Sequence, residues 1–387
     1  MPSKPKYRLL TPGPVSVPER ILRAMSGTLL HHRSPEFIPI FNEVRTGLRK
    51  VFETEREVVI LASSGTGAME TAVANLTKRG DLAIVVRGGK FGERWAELCE
   101  TYGVRTVCID VEWGRAVEPE AVRAAFRSHP DARYLFVQAS ETSTGVYHPI
   151  EALAQITREK PERLLVVDGI SGVGVHKLPM DAWGIDCMVS GSQKSWLLPP
   201  GLAFIALSER GEAALERCDQ PRYYFDLKKE LEGQASASPA YTPAVSLIMG
   251  LQEALRMIHE EGLESVQARH ESLARLVRGA AEALGLGLLA VDSPSFACTA
   301  IRLPDGVDGK KLEKTIRDRY GITMAGGQDK LSGKILRIGH MGDVDGFDML
   351  TAIAALEMAL LDIGYPVKLG AGTRMVLELM RTARTAR

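Results

Sequence analysis

The sequence predicts an α/β protein: a large domain with a mainly parallel sheet covered by helices, then a smaller C-terminal α+β domain. Three observations predict it. From about residue 58, short runs rich in Val, Ile and Leu alternate with helical stretches. The runs show little polar alternation, the mark of strands buried on both faces of a sheet. Near residue 220 the texture changes to a polar, small-residue stretch and then to long helices with scattered short apolar runs, so the regular strand–helix alternation ends there.

Taken in order, "EVVILASSG" (57–65) leads into the helical "GAMETAVANLTKRG", and "DLAIVVRGG" (81–89) into "KFGERWAELCETYG". "RTVCIDV" (105–111) precedes a helix at 119–128. "ARYLFVQAS" (132–140) leads through a polar loop into "PIEALAQITRE". "RLLVVDGI" (163–170), "IDCMVSGSQK" (185–194) and "LAFIALS" (202–208) follow. "PRYYFDLKKELEGQASASPAYTPAV" reads as a long irregular loop. Helices at 244–261 and 263–284 come next, with a domain boundary inside 255–265. "CTAIRLP", "KKLEKTIRDRYG", "KILRIGHMG" and "FDMLTAIAALEMALLDIG" suggest the small domain. The expected organisation is an N-terminal segment 1–20, a large domain 21–260, a small domain 261–365 and a tail 366–387. The tail reads as a loosely held helix or a partly disordered end. No internal repeat is found.

Composition narrows the function classes. The chain has 387 residues, enough for an ample core. Lys plus Arg equals Asp plus Glu at 48 each, so nothing in the charge balance points to nucleic acid or an anionic membrane. Five cysteines, with no CxxC and no metal-ligand spacing, point to a reducing compartment. No apolar run is long enough for a membrane span, and the first residues lack a secretory apolar stretch. The expected location is cytoplasmic, with no metal.

In parallel sheets ligands bind at the carboxyl ends of strands, so the residues after each run carry the chemistry. "SSGTGAME" (63–70) places Ser64, Gly65, Thr66 and Gly67 before a helix. That is a phosphate cradle at a helix N-terminus or a tight strand–helix turn. It is not a dinucleotide fingerprint, because the third glycine is missing. Phe91, in "RGGKFGERW", packs in the core or lies flat on an aromatic ligand. "SETSTGVYHP" offers the hydroxyls of Thr142, Ser143 and Thr144. Asp168 closes the apolar run "LLVV", where an unpaired carboxylate is costly unless it caps a helix. Lys194, in "VSGSQKSWLLPPGL", ends another apolar run. It is a surface amine after a strand, or a buried amine with a lowered pKa that suits Schiff-base chemistry. The ordered set of phosphate cradle, ring, acid and amine fits pyridoxal 5'-phosphate (PLP).

"SGTGAME", "ETSTGV", "VVDGISGVG" and "SGSQKSWLLPPGL" carry a family resemblance that runs from residue 9 to residue 342. The chain resembles the class V aminotransferases of PLP fold-type I, in their alanine–glyoxylate and serine–pyruvate or serine–glyoxylate branch. The resemblance implies that Lys194 carries PLP and that Asp168 pairs with the ring nitrogen. Ile170 would pack under the ring and Phe91 above it. Ser143 would bond near the ring's phenolic oxygen. Ser64, Gly65, Thr66 and Gln193 would hold the phosphate. Thr242, or Tyr241, would reach the phosphate of the neighbouring subunit, giving a homodimer with shared sites. Arg337 would clamp the substrate carboxylate. Gly13, in the "TPGP" turn, would line the pocket, so segment 1–20 contributes to the site. His32 and Arg33 either approach the pocket or serve a helix entry or subunit contact.

The implied reaction moves an amino group from alanine or serine to glyoxylate or pyruvate, in a ping-pong cycle. Three rivals stand beside it. A cysteine desulfurase-like enzyme needs a nucleophilic Cys, for which Cys298 is the candidate, and usually His where Phe91 stands. A non-catalytic PLP-fold subunit is the second. A nicotinamide dehydrogenase is the third, and the incomplete glycine motif counts against it.

Overall fold

The structure, a computed structural model, describes residues 5–385. The seven apolar runs form the seven strands of one sheet: β1 (Val58–Leu61), β2 (Leu82–Arg87), β3 (Arg105–Asp110), β4 (Tyr134–Gln138), β5 (Leu164–Asp168), β6 (Cys187–Gly191) and β7 (Ala203–Leu207). Their spatial order is β1-β7-β6-β5-β4-β2-β3. All neighbours are parallel except β7, which runs antiparallel to both β1 and β6. The alternating residues feed two separate cores. Ile84, Val86, Leu135, Val137, Leu165 and Val167 face one core, with helices α1 (Glu19–Met25) and α2 (Phe37–Phe52) among the elements beyond them. Ala83, Val85, Tyr134, Phe136, Leu164 and Val166 face the other, against helices α3 (Gly65–Leu76) and α4 (Lys90–Thr101). Burial on both faces explains why the other six runs show no polar alternation; β3, at the sheet edge, is only half-buried.

Strand β1 lies at a sheet edge, where unpaired backbone groups invite foreign strands. Here Gln234 covers it: Ile60 N–H donates to Gln234 Oε1 (2.9 Å), and Gln234 Nε2 donates to Ile60 O (2.8 Å). Gln234 sits on a helix, Leu227–Ala235, inside the stretch read from sequence as irregular. Asp226 starts that helix by accepting the N–H groups of Lys228 and Lys229. The surrounding Ser, Pro and Ala residues masked this cap in the sequence.

Two long helices, Val245–Glu261 and Leu263–Ala283, meet at Gly262 (φ 84°), within the expected boundary region. Beyond them a three-stranded antiparallel sheet sets Ile335–Gly339 between Cys298–Arg302 and Ala325–Gly326. The N-terminal segment joins this part of the molecule: Arg8–Leu9 pairs in parallel with Ile322–Thr323, and Leu10 is buried in the small core. The chain then turns at Thr11–Pro14 toward the large sheet.

The tail, expected as a loosely held helix or a partly disordered end, forms helix Ala371–Thr385, and it is packed rather than loose, with Val376 fully buried. A Cβ on Gly279 would lie 2.9 Å from Leu379 Cδ1, so the helix crosses Leu263–Ala283 closely. The tail's last residues, 386 and 387, lie outside the described residues. Its start is held by Glu357, a buried carboxylate that accepts the N–H groups of Gly370 (2.8 Å), Gly372 (2.8 Å) and Thr373 (2.9 Å). Three donors left without an acceptor are costly. Glu357→Ala is therefore expected to lower unfolding stability by about 2 kcal/mol or more. A urea melt indistinguishable from the parent's would refute this anchoring role.

Candidate active site

The carboxyl ends of β5 and β6, with the start of α3, enclose a cavity of ≈ 170 Å³. Its walls include Ser64, Gly65 and Thr66 from α3 and its cap, Asp168, Ile170 and Ser171 after β5, and Gln193 and Lys194 after β6. Phe91 and Arg94 from α4 and Ser140 after β4 complete them. Two larger surface grooves, of ≈ 670 and ≈ 630 Å³, share none of these residues.

The amine and the acid are both buried, at 8% and 4% exposure. Parallel register explains their proximity: Asp168 pairs with Val189, whose strand leads to Lys194. Burial pushes the Asp168 carboxyl up to about 7 and the Lys194 amine down to about 8. Asp168 Oδ1 accepts Ile170 N–H at 2.8 Å. Lys194 Nζ donates to Pro12 O of the N-terminal turn. Gly13 (φ 100°) is indispensable there, because a Cβ would fall on the Lys194 side chain. A residue 182 positions earlier in the chain thus orients the amine.

Helix α3 begins with Ser64 accepting Gly67 N–H at 3.4 Å. The N–H groups of Gly65 and Thr66 have no partner among the described residues, as expected for a first helical turn. A Cβ at Gly65 would lie 2.5 Å from Ile170 Cδ1, so only glycine lets the turn approach this closely. Gln193 Oε1 is buried without a hydrogen-bond partner.

Glu141 organises the front wall, although the sequence analysis gave it no role. Fully buried, it accepts Phe91 N–H and Gly92 N–H (3.1 Å each), Ser143 N–H (3.1 Å) and Ser143 Oγ–H (2.5 Å). Burial raises its pKa, while these donors oppose the rise. It thereby caps α4 from outside and fixes where Phe91 projects. Ser143 Oγ also accepts Lys90 N–H (3.1 Å). Ser143 consequently lies behind the cavity wall rather than on it. An acid closing an apolar run was the signal that found Asp168, and the same signal was present in "QASE". Arg94 was also missed. Its guanidinium lies 5.0 Å from the Phe91 ring centre and donates to Thr66 Oγ1 at 3.1 Å.

Arg337 is buried beside the cavity rather than in its lining. It donates to Thr142 O (2.8 Å) and Gly326 O (2.9 Å), tying the small sheet to the loop after Glu141. Cys298 lies nearby, with burial pushing its thiol up to about 11, unsuited to a neutral-pH nucleophile. Ser140, on the cavity wall, bonds Ser295 Oγ (2.6 Å), which also meets His176 Nε2 (3.1 Å). Tyr241 and Thr242 lie elsewhere: the Tyr241 hydroxyl donates to Tyr223 O (2.9 Å), and Thr242 is exposed. His32 and Arg33 are not among the lining residues. No group of three or more potential metal ligands is found among the described residues. No described helix is long and apolar enough to cross a membrane.

The donor set fits PLP: a buried acid for a ring nitrogen, an amine for a carbonyl, an aromatic wall, and unpaired N–H groups at a helix start for a phosphate. The family model for "Aminotransferase class-V" matches residues 18–339. A soluble hydrogenase small subunit from a Synechococcus species is 39% identical, covering 98% of this chain and 99% of that one. An L-aspartate–glyoxylate aminotransferase from Paracoccus denitrificans is 36% identical, covering 98% and 97%. The crystal structure of an alanine–glyoxylate aminotransferase from a Nostoc species superimposes with a TM-score of 0.88 at 31% identity, covering 93% and 97%.

The shifted acid gives a pH signature in the cofactor-free chain. The folded chain keeps the Asp168 proton up to about 7, whereas the unfolded chain loses it near 3.8. The folded state binds more protons in that window, so this residue makes stability fall as pH rises through it. Asp168→Asn is expected to flatten that fall in denaturant melts recorded between pH 4 and pH 7. Equal slopes for the two proteins would contradict the burial argument.

Proposed function

The chain belongs to the class V aminotransferase family, and from that premise we propose that it moves an amino group from alanine or serine to glyoxylate or pyruvate in a ping-pong cycle. It is a PLP-dependent transaminase by family. The observation that carries the transamination reading is a buried amine and a buried acid on one cavity wall; the choice of alanine or serine rests on the branch that the motifs resemble. The aspartate-using relative makes aspartate the donor to test beside alanine and serine.

When bound, PLP supplies an electrophilic carbonyl and an electron-accepting ring. Lys194 Nζ, lowered to about 8, has a sizeable neutral fraction near neutrality. It can take the substrate α-proton and return it, as a general base and acid. Pro12 O and Gly13 hold that amine at the cavity. Asp168 keeps a proton on the ring nitrogen. A cationic partner returns its carboxyl toward the ionised state. Ile170 and Phe91 confine the ring. Ser64, the N–H groups of Gly65 and Thr66, and Gln193 take the phosphate. Arg337, half committed to backbone carbonyls, retains donors for a substrate carboxylate. Thr242 or Tyr241 serves the neighbouring subunit of a homodimer.

A subunit without transaminase activity is the second reading, and the hydrogenase names carried by two relatives favour it. Visible absorption of the purified protein separates the two. The cofactor band should bleach with L-alanine or L-serine and return with glyoxylate or pyruvate. A band indifferent to alanine, serine and aspartate would count against transamination. Lys194→Ala should lose turnover by about 10³-fold or more while remaining folded. Substantial residual turnover would remove Lys194 from the proton transfer. In Arg337→Ala, KM for both amino acid and oxo acid should rise by about tenfold or more. An unchanged KM for both would exclude Arg337 from carboxylate binding.

A further inference from the structure

We propose that Arg94 is a specificity residue for the phosphate ester of the cofactor, a role that rests on the PLP reading above. Arg94 lies one helical turn after Phe91 on α4 and lines the same cavity. Its Nη1 donates to Thr66 Oγ1 in the first turn of α3, which ties the guanidinium to the helix start, while its charge still reaches Asp168 and Lys194 across the small cavity. Its other flank rests on the Phe91 ring. No carboxylate forms an ion pair with Arg94 among the described residues.

Two positive features therefore converge on one end of the cavity: the guanidinium, and the unpaired N–H groups of Gly65 and Thr66 that form the positive end of α3. Neither is paired with a carboxylate among the described residues. A dianion is the chemistry that satisfies both together. Thr66 then has two tasks. Its N–H faces the anion, while its hydroxyl holds the guanidinium in place. A substrate side-chain carboxylate is the competing occupant. It is disfavoured because the side-chain hydrogen bond of Arg94 runs to the helix start, where the unpaired N–H groups lie.

The test measures dissociation constants of PLP and of pyridoxal, which lacks the phosphate, for the full-length chain stripped of cofactor. Intrinsic fluorescence quenching reads both, and inorganic phosphate serves as competitor. In Arg94→Gln, the dissociation constant for PLP should rise by about tenfold or more, while pyridoxal binding changes by less than about twofold. Competition by inorganic phosphate should weaken in parallel. Arg94→Lys should recover part of the loss, which also covers the case where Arg94→Gln folds poorly. Equal weakening of PLP and pyridoxal would mean a structural role and overturn the proposal. So would an unchanged PLP affinity accompanied by a raised KM for aspartate, which would assign Arg94 to a substrate carboxylate. A parent chain that binds neither compound would instead overturn the PLP reading itself.

Discussion

One carboxylate with no exposed surface holds the reactive wall together. Glu141 collects four donors from two segments, and those segments carry almost everything the cavity presents on that side. Through Phe91 N–H and Gly92 N–H it sets the start of α4, and with it the ring of Phe91 and the guanidinium of Arg94. Through Ser143 it shapes the loop whose Thr142 carbonyl receives Arg337 from the small sheet. The approach requires glycine at position 89, because a Cβ there would strike both Glu141 and Ser143. A buried acid is unfavourable on its own. Its donors make it affordable and thereby fix several elements at once.

The same economy is absent from Lys194 and Asp168. Each is buried with one hydrogen bond to the backbone, and burial drives both toward their neutral forms. The isolated chain is thus left with two groups held away from their preferred states. A ligand that offers a cation to the acid and a carbonyl to the amine relieves both, so its binding stabilises the fold as well as equipping it. Functional strain and ligand affinity are here one quantity.

Most of the large domain was legible in the sequence. Strands buried on both faces cannot hide, since every residue of "AIVV" or "LLVV" must be apolar. Asp168 and Lys194 stood out because they break such runs. Helix Leu227–Ala235 was hidden by a polar, small-residue context, and its meaning lies in Gln234 meeting a strand more than 170 positions away. Glu141 and Arg94 were hidden for a similar reason. Their roles depend on partners from other segments, and neither spacing nor composition encodes which backbone N–H groups a carboxylate will meet. The packed C-terminal helix depends on Glu357 in the same way.

The pairing of Arg8–Leu9 with Ile322–Thr323 joins positions about 300 residues apart, and the turn that follows is what holds the Lys194 amine. During synthesis the large sheet can form once residue 207 has emerged, yet the first segment has no strand to join until the small domain appears. The nascent chain therefore carries an unguarded lysine for about a third of its elongation. The earliest residues made are among the last to find their place. Completion of the amine's surroundings waits for the strand at Ile322–Thr323, which ties chemical competence to the arrival of the small domain rather than to the folding of the domain that bears the amine.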